Sequence, residues 1–188
     1  MITGPLKSKI DKRIQSVLAH GKYIMGPEVF ELEEKLADYV GVKNCISCAS
    51  GTDALLIPLL AKNIGPGDAV ITTPFTYIAT AEVIALVGAT PIFTDIYPET
   101  YNMNPEGIQK AVEEAKNKGL NPRAIIPVDL FGLPARYRMI EKIAIENDLF
   151  IIEDAAQGFG GEIRGKKAGS FGNVATTSFF PAKPLGCY

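Results

Sequence analysis

The sequence predicts an α/β fold, a three-layer α/β/α sandwich around a mostly parallel, mixed sheet. Short apolar runs recur along the chain: CISCA (45–49), AVITT (69–73), PIFTDI (91–96), RAIIPV (123–128) and LFIIED (149–154). Segments with helical signals lie between them, beginning near Thr52, Thr76, Pro105 and Arg136. Runs of this kind lack the polar alternation of a one-sided sheet, so both faces must be covered, and the crossover helices cover them. A last run, VATTSFF (174–180), adds another strand.

Before the first run, Leu6, Ile10, Ile14, Val17 and Leu18 recur at helical spacing and predict a helix over 6–20. After a glycine-bounded loop, Pro27 suits the first position of a second helix, and Gly41 suits its stop. Val29, Leu32, Leu36 and Val40 mark the side of this helix expected to be buried. Pro58 breaks a local rule, because a proline inside the helix that starts at Thr52 removes a backbone bond and should kink it.

A length of 188 residues favours one compact domain with a real core, and no repeat, low-complexity tract or linker divides it. With 19 basic and 21 acidic residues and no like-charge block, nothing points to nucleic acid or to an anionic membrane surface. The longest apolar runs, such as Ala54 to Ala61, are too short to span a bilayer, and the N-terminal stretch MITGPLKSKIDKRIQSVLAH lacks the apolar centre of a signal peptide. Three cysteines give no disulfide framework, so a reduced, cytoplasmic protein is expected. No His/Cys/Asp cluster has zinc spacing and His20 is the only histidine, so no metal site is expected.

In a parallel sheet, ligands bind beyond the carboxyl ends of the strands. Four places directly follow an expected strand: Ser50–Thr52, Thr76–Tyr77, Glu153–Gln157 and Ser178–Lys183. In Ser50-Gly51-Thr52-Asp53, glycine permits a tight turn and the free amides of a helix start can hold an anion; a ligand-free cap by Ser50 or Thr52 is the plainer reading. An acidic pair at the tip of the buried LFII strand is costly unless something meets it. A pyridinium nitrogen would suit Asp154, and a structural carboxylate capping the next turn is an equal alternative. Lys183 has mostly apolar neighbours, which would favour the neutral amine that Schiff-base chemistry needs; a solvated surface lysine is the common alternative. Tyr77 could stack on a flat ring or simply pack in the core. Cys45-x-x-Cys48 lies on an expected strand rather than a helix start, so core packing is the better reading. No G-x-G-x-x-G follows the early strands, which weighs against a nucleotide-binding domain.

Long ordered segments give a more specific signal: YIMGPEVFELEEKLADYVG (23–41), SGTDAL (50–55), PGDAVITTPFTYIATAE (66–82), IIEDAAQGFGGEIRGKKAGSFG (151–172) and TSFFPAKPLG (177–186). Together they resemble the DegT/DnrJ/EryC1/StrS family of pyridoxal-phosphate (PLP) dependent nucleotide-sugar aminotransferases. That resemblance implies the PLP-transferase large domain of fold-type I over 1–188, a smaller C-terminal domain beyond this chain, and a homodimer. It further implies that Lys183 binds the cofactor covalently and shuttles a proton. Asp154 would pair with the pyridine nitrogen, and Gln157 would lie near the ring hydroxyl. Gly51, Thr52 and Ser178, joined by Asp53, would hold the phosphate, and Tyr77 would stack on the ring. The implied substrates are an amino-acid donor, L-glutamate, and a nucleotide-linked keto-sugar. CISCASGTDAL and TSFFPAKPLGCY resemble enzymes that aminate C3 of a UDP-2-acetamido-3-keto-hexuronate for surface polysaccharide. Sugar dehydratases of the family carry histidine in place of Lys183. A C4-aminating relative, or a non-catalytic fragment that binds PLP or a partner subunit, stays open.

Overall fold

The computed structural model describes residues 6–187. Residues 1–5, part of the stretch read above as lacking a signal peptide, and Tyr188, the last residue of TSFFPAKPLGCY, lie outside the described residues. The chain forms two compact units, residues 1–47 and 48–188.

The first unit contains α1 (Lys7–His20) and α2 (Pro27–Val40). Both end where expected, on glycines in left-handed conformation: Gly21 at φ 65° and Gly41 at φ 82°. The Arg13 guanidinium and the Lys35 ammonium both bind Glu31 and hold its carboxyl down at about 2. The expected apolar faces are only partly covered. Leu36 and Ala37 are buried, whereas Ile14, Leu18 and Leu32 are exposed.

Residues 45–49 do not form the expected strand. A strand exists only where a neighbour completes its backbone hydrogen bonds; this segment carries no ladder among the described residues, and Ile46 and Cys48 are exposed rather than packed in a core.

The second unit is built on one five-stranded sheet of β1 (Asp68–Thr72), β2 (Thr90–Phe93), β3 (Asn121–Ile125), β4 (Phe150–Asp154) and β7 (Val174–Thr176), in the order β2-β1-β3-β4-β7. Every pairing in it is parallel. The antiparallel component expected of a mixed sheet occurs instead in a separate hairpin, β5 (Glu162–Ile163) with β6 (Lys166–Lys167). The last strand also stops at Thr176, short of the expected Phe180.

The period-two alternation of a strand decides which residues face which layer. Ala69, Ile71, Ile125 and Ile151 point to one side, where they pack against α5 (Ile108–Asn117) and α6 (Tyr137–Glu146). Val70, Ala124 and Ile152 point to the other, against α3 (Gly51–Ala61) and α4 (Ala79–Leu86). α5 meets its core through Ile108, Ala111, Val112 and Ala115, one face at helical spacing. α3 runs from Gly51 to Ala61 as one helix with Pro58 buried inside it. Along β4 the same alternation sends Glu153 toward the α5/α6 layer and Asp154 toward the α3/α4 layer.

Candidate active site

Asp154 ends β4 with 4% of its surface exposed. Its backbone is locked on the neighbouring segment, with its amide donating to Pro127 O at 2.9 Å and its carbonyl accepting from Asp129 N at 3.0 Å. Its Oδ2 accepts from the Thr80 hydroxyl at 2.9 Å and its Oδ1 from the Ala156 amide at 3.2 Å. Burial pushes the Asp154 carboxyl up; the Thr80 and Ala156 hydrogen bonds and the positive charge of Lys183 act against it. Lys183 and Asp154, 29 positions apart by their numbers (183 − 154), thus lie within electrostatic reach of each other.

The start of α3 is capped by Ser50, whose Oγ accepts from the Asp53 amide at 3.1 Å and donates to the Asp53 carboxylate at 2.9 Å. This reciprocal cap uses the side chains of Ser50 and Asp53. The first-turn amides of Gly51 and Thr52 have no acceptor within the helix, as at any helix start. Gly51 packs directly on Ser178: a Cβ there would sit 2.9 Å from Ser178 Cβ and 3.3 Å from its Oγ. The start of α3 and the loop after β7 therefore converge on one point, with amides on one side and a hydroxyl on the other.

Lys183 is half-buried in a loop folded back on itself. The Lys183 amide donates to Phe180 O at 2.8 Å and the Cys187 amide to Phe179 O at 2.9 Å. Gly186 makes this return possible, since a Cβ at that position would lie 2.4 Å from Pro181 O. Tyr77 is 69% exposed and precedes α4 instead of opening it. With Pro74, Phe75, Thr76 and Leu130 it lines a cavity of about 300 Å³. Gln157 is half-buried in the turn that follows β4.

Three contributors escaped the sequence reading. Thr80 holds Asp154, and Thr76 meets Thr80 hydroxyl to hydroxyl at 3.0 Å. Their spacing of four, which suggests one face of a helix, was the available signal, although α4 begins only at Ala79. The other two, Asp129 and Tyr137, are buried behind β4 with Glu153. Glu153 accepts backbone amides from Gly169, from Phe171 at 2.6 Å and from Gly172 at 3.2 Å, which answers how a carboxylate survives there. No group of three or more His, Cys, Asp or Glu residues suited to a metal occurs among the described residues.

These residues fit a phosphorylated pyridine aldehyde. Amides at a helix start beside a serine hydroxyl suit a phosphate. A buried carboxylate, stabilised by a hydroxyl and an amide but still pushed up by burial, suits a protonated ring nitrogen. A half-buried lysine near that carboxylate suits the aldehyde.

A family model for the "DegT/DnrJ/EryC1/StrS aminotransferase family" matches residues 5–188. A "UDP-2-acetamido-2-deoxy-3-oxo-D-glucuronate aminotransferase" of Pseudomonas aeruginosa is 54% identical over 183 residues, covering 97% of this chain and 49% of that protein. A crystal structure of a DegT DnrJ EryC1 StrS aminotransferase from Brucella abortus superposes with a TM-score of 0.96 at 54% identity, covering 97% of this chain and 49% of that one. NtdA from Bacillus subtilis with the cofactor PMP bound superposes with a TM-score of 0.88 at 34% identity, covering 100% of this chain and 41% of that one. The chain thus spans about half the length of the relatives it matches. At that identity, along nearly its whole length and with the same fold, the chain belongs to the DegT/DnrJ/EryC1/StrS aminotransferase family.

Proposed function

We propose that this chain is the lysine-bearing half of a PLP-dependent aminotransferase that moves an amino group from L-glutamate to C3 of a UDP-2-acetamido-3-keto-hexuronate. The pairing of β4 with β7, which sets Asp154 beside Thr176, and the charge of Lys183 acting on the buried Asp154 support the reading. The name of the 54% identical P. aeruginosa relative, a 3-oxo-glucuronate aminotransferase, supports the sugar and the carbon. The enzyme works in the cytoplasm as a homodimer and feeds surface-polysaccharide synthesis such as O-antigen.

When bound, PLP supplies an electron-withdrawing ring that lets an amino group leave one carbon and join another. The protein's own residues do the rest. The amides of Gly51 and Thr52 and the hydroxyl of Ser178 bind the phosphate, and Asp53 keeps that turn in shape through Ser50. Asp154 keeps the ring nitrogen protonated, oriented by Thr80 and the Ala156 amide. Tyr77 would cover a ring face and Gln157 would lie near the ring hydroxyl. Lys183 would hold the cofactor through Nζ, and the same atom would move the proton at the substrate carbon.

The reading is tested with the protein that carries this segment, PLP, L-glutamate and the UDP-linked 3-keto-hexuronate. A 3-amino sugar and 2-oxoglutarate are the expected products; no turnover of the 3-keto sugar, with a 4-keto sugar converted to a 4-amino sugar instead, would assign a different carbon.

A further inference from the structure

Two carboxyl groups on the opposite side of β4 from Asp154 have no part in the chemistry above. Asp129 and Glu153 are both wholly buried. The three amides of the 169–172 turn point at Glu153. Asp129 Oδ1 accepts from the Ala135 amide at 2.9 Å and from the Tyr137 hydroxyl at 3.0 Å. Asp129 Oδ2 has no donor among the described residues, and the parallel bridge of Val128 with Asp154 puts the Asp129 side chain on the same face as Glu153, whose charge acts on it. Gly158 closes over the pair, since a Cβ there would lie 3.2 Å from that oxygen. Two carboxylate oxygens repel unless one of them carries a proton. Glu153, with its backbone donors, is the natural anion, so the proton belongs on Asp129 Oδ2.

We propose that Asp129 is a positioning residue whose neutral carboxyl donates a hydrogen bond to the Glu153 carboxylate, clamping the end of β4 to the 169–172 turn. The clamp joins three parts of the site. Glu153 is the residue before Asp154, the Asp129 amide bonds the Asp154 carbonyl, and the turn leads into β7 and on to Ser178 and Lys183. Tyr137 from α6 closes the far side, its ring stacked on Phe171 at 4.7 Å. The groups facing Asp129 are Glu153 from β4 and the Tyr137 hydroxyl from α6. Burial first, then the charge of Glu153, push the Asp129 acid up to about 8, in keeping with the geometry. The bearing of the clamp on catalysis rests on the role given to Asp154 above. The protonation itself does not, so it is measured on protein without PLP.

Carboxyl-carbon NMR of that protein, with the Asp129 resonance assigned by its loss in Asp129→Asn, should show Asp129 protonated at neutral pH and titrating near about 8. Between about pH 5 and 7, the folding equilibrium constant of the wild type should fall tenfold per pH unit relative to Asp129→Asn, because only the wild type loses a proton on unfolding. Asparagine offers the same acceptor and donor as the neutral acid, so Asp129→Asn should keep the visible spectrum of bound PLP while Asp129→Ala alters it. An ionised Asp129 at neutral pH, equal pH slopes in the two proteins, or an asparagine variant as damaged as alanine would overturn the proposal. If Asp129→Ala does not fold, the titration and the slopes decide alone. If PLP binds none of these proteins, the proposed function fails and the protonation stands or falls on those same two measurements.

Discussion

Gly51 has no space for a methyl group. A Cβ would meet Ser178 Cβ at 2.9 Å, so Gly51→Ala must push the turn and the serine apart. The expected cost is about 1–3 kcal/mol of stability, read by thermal unfolding, with weaker PLP binding read by titration. Thr80 presents a different case. Thr80→Val keeps the shape but leaves Asp154 Oδ2 without its hydroxyl donor, at a cost of about 1–3 kcal/mol. PLP affinity should drop by about tenfold, and Thr80→Ser should restore most of it. The two residues also differ in legibility. Gly51 stands in a turn at a helix start whose plainer sequence reading is a ligand-free cap, and which the family resemblance singles out as a phosphate site. Thr80 sits four positions after Thr76 with nothing in the local pattern to say that its partner is 74 positions away. Spacing gives the face of a helix; only the fold gives what that face meets.

The strands β1 to β4 were legible because each contains a short apolar stretch bounded by turn residues, and the central ones are covered on both faces. The same pattern misled at 45–49, where apolar content is present but no backbone ladder is. Composition reports what could be buried, and pairing decides whether it is. Of β4, the sequence announced the acidic tip but not its division of labour, which follows from alternation: Glu153 to one layer and Asp154 to the other. Exchange at these neighbours should therefore have separable effects. Glu153→Gln disturbs the amides of the 169–172 turn and should lower stability, visible in denaturant unfolding, because a side-chain amide replaces one acceptor oxygen with a donor facing N–H groups. Asp154→Asn should leave stability nearly unchanged and abolish the ring-nitrogen interaction, visible as altered PLP absorbance. On the α3 side, Leu59 is wholly buried between α3 and the sheet, and Leu59→Ala should cost about 2–5 kcal/mol in the same unfolding assay.

Asp129 gives the stability of the folded protein a pH dependence of a specific sign. The folded Asp129 acid is raised to about 8 from 3.8, so between those values the folded protein holds a proton that the unfolded chain does not. Its stabilising contribution is complete below the unfolded value and is lost as pH rises through the folded one, at about 1.4 kcal/mol per pH unit. Unfolding in denaturant across that range checks the slope. At this scale the family was legible because long segments match it in the correct order, and the chain spans about half the length of its relatives. The central claim, that Lys183 is the cofactor lysine, is tested most directly by adding PLP, reducing with borohydride and mapping the modified peptide by mass spectrometry. A phosphopyridoxyl group on Lys183, absent from Lys183→Ala, is the predicted result. Stoichiometric labelling of another lysine, with Lys183 left unmodified, would contradict it.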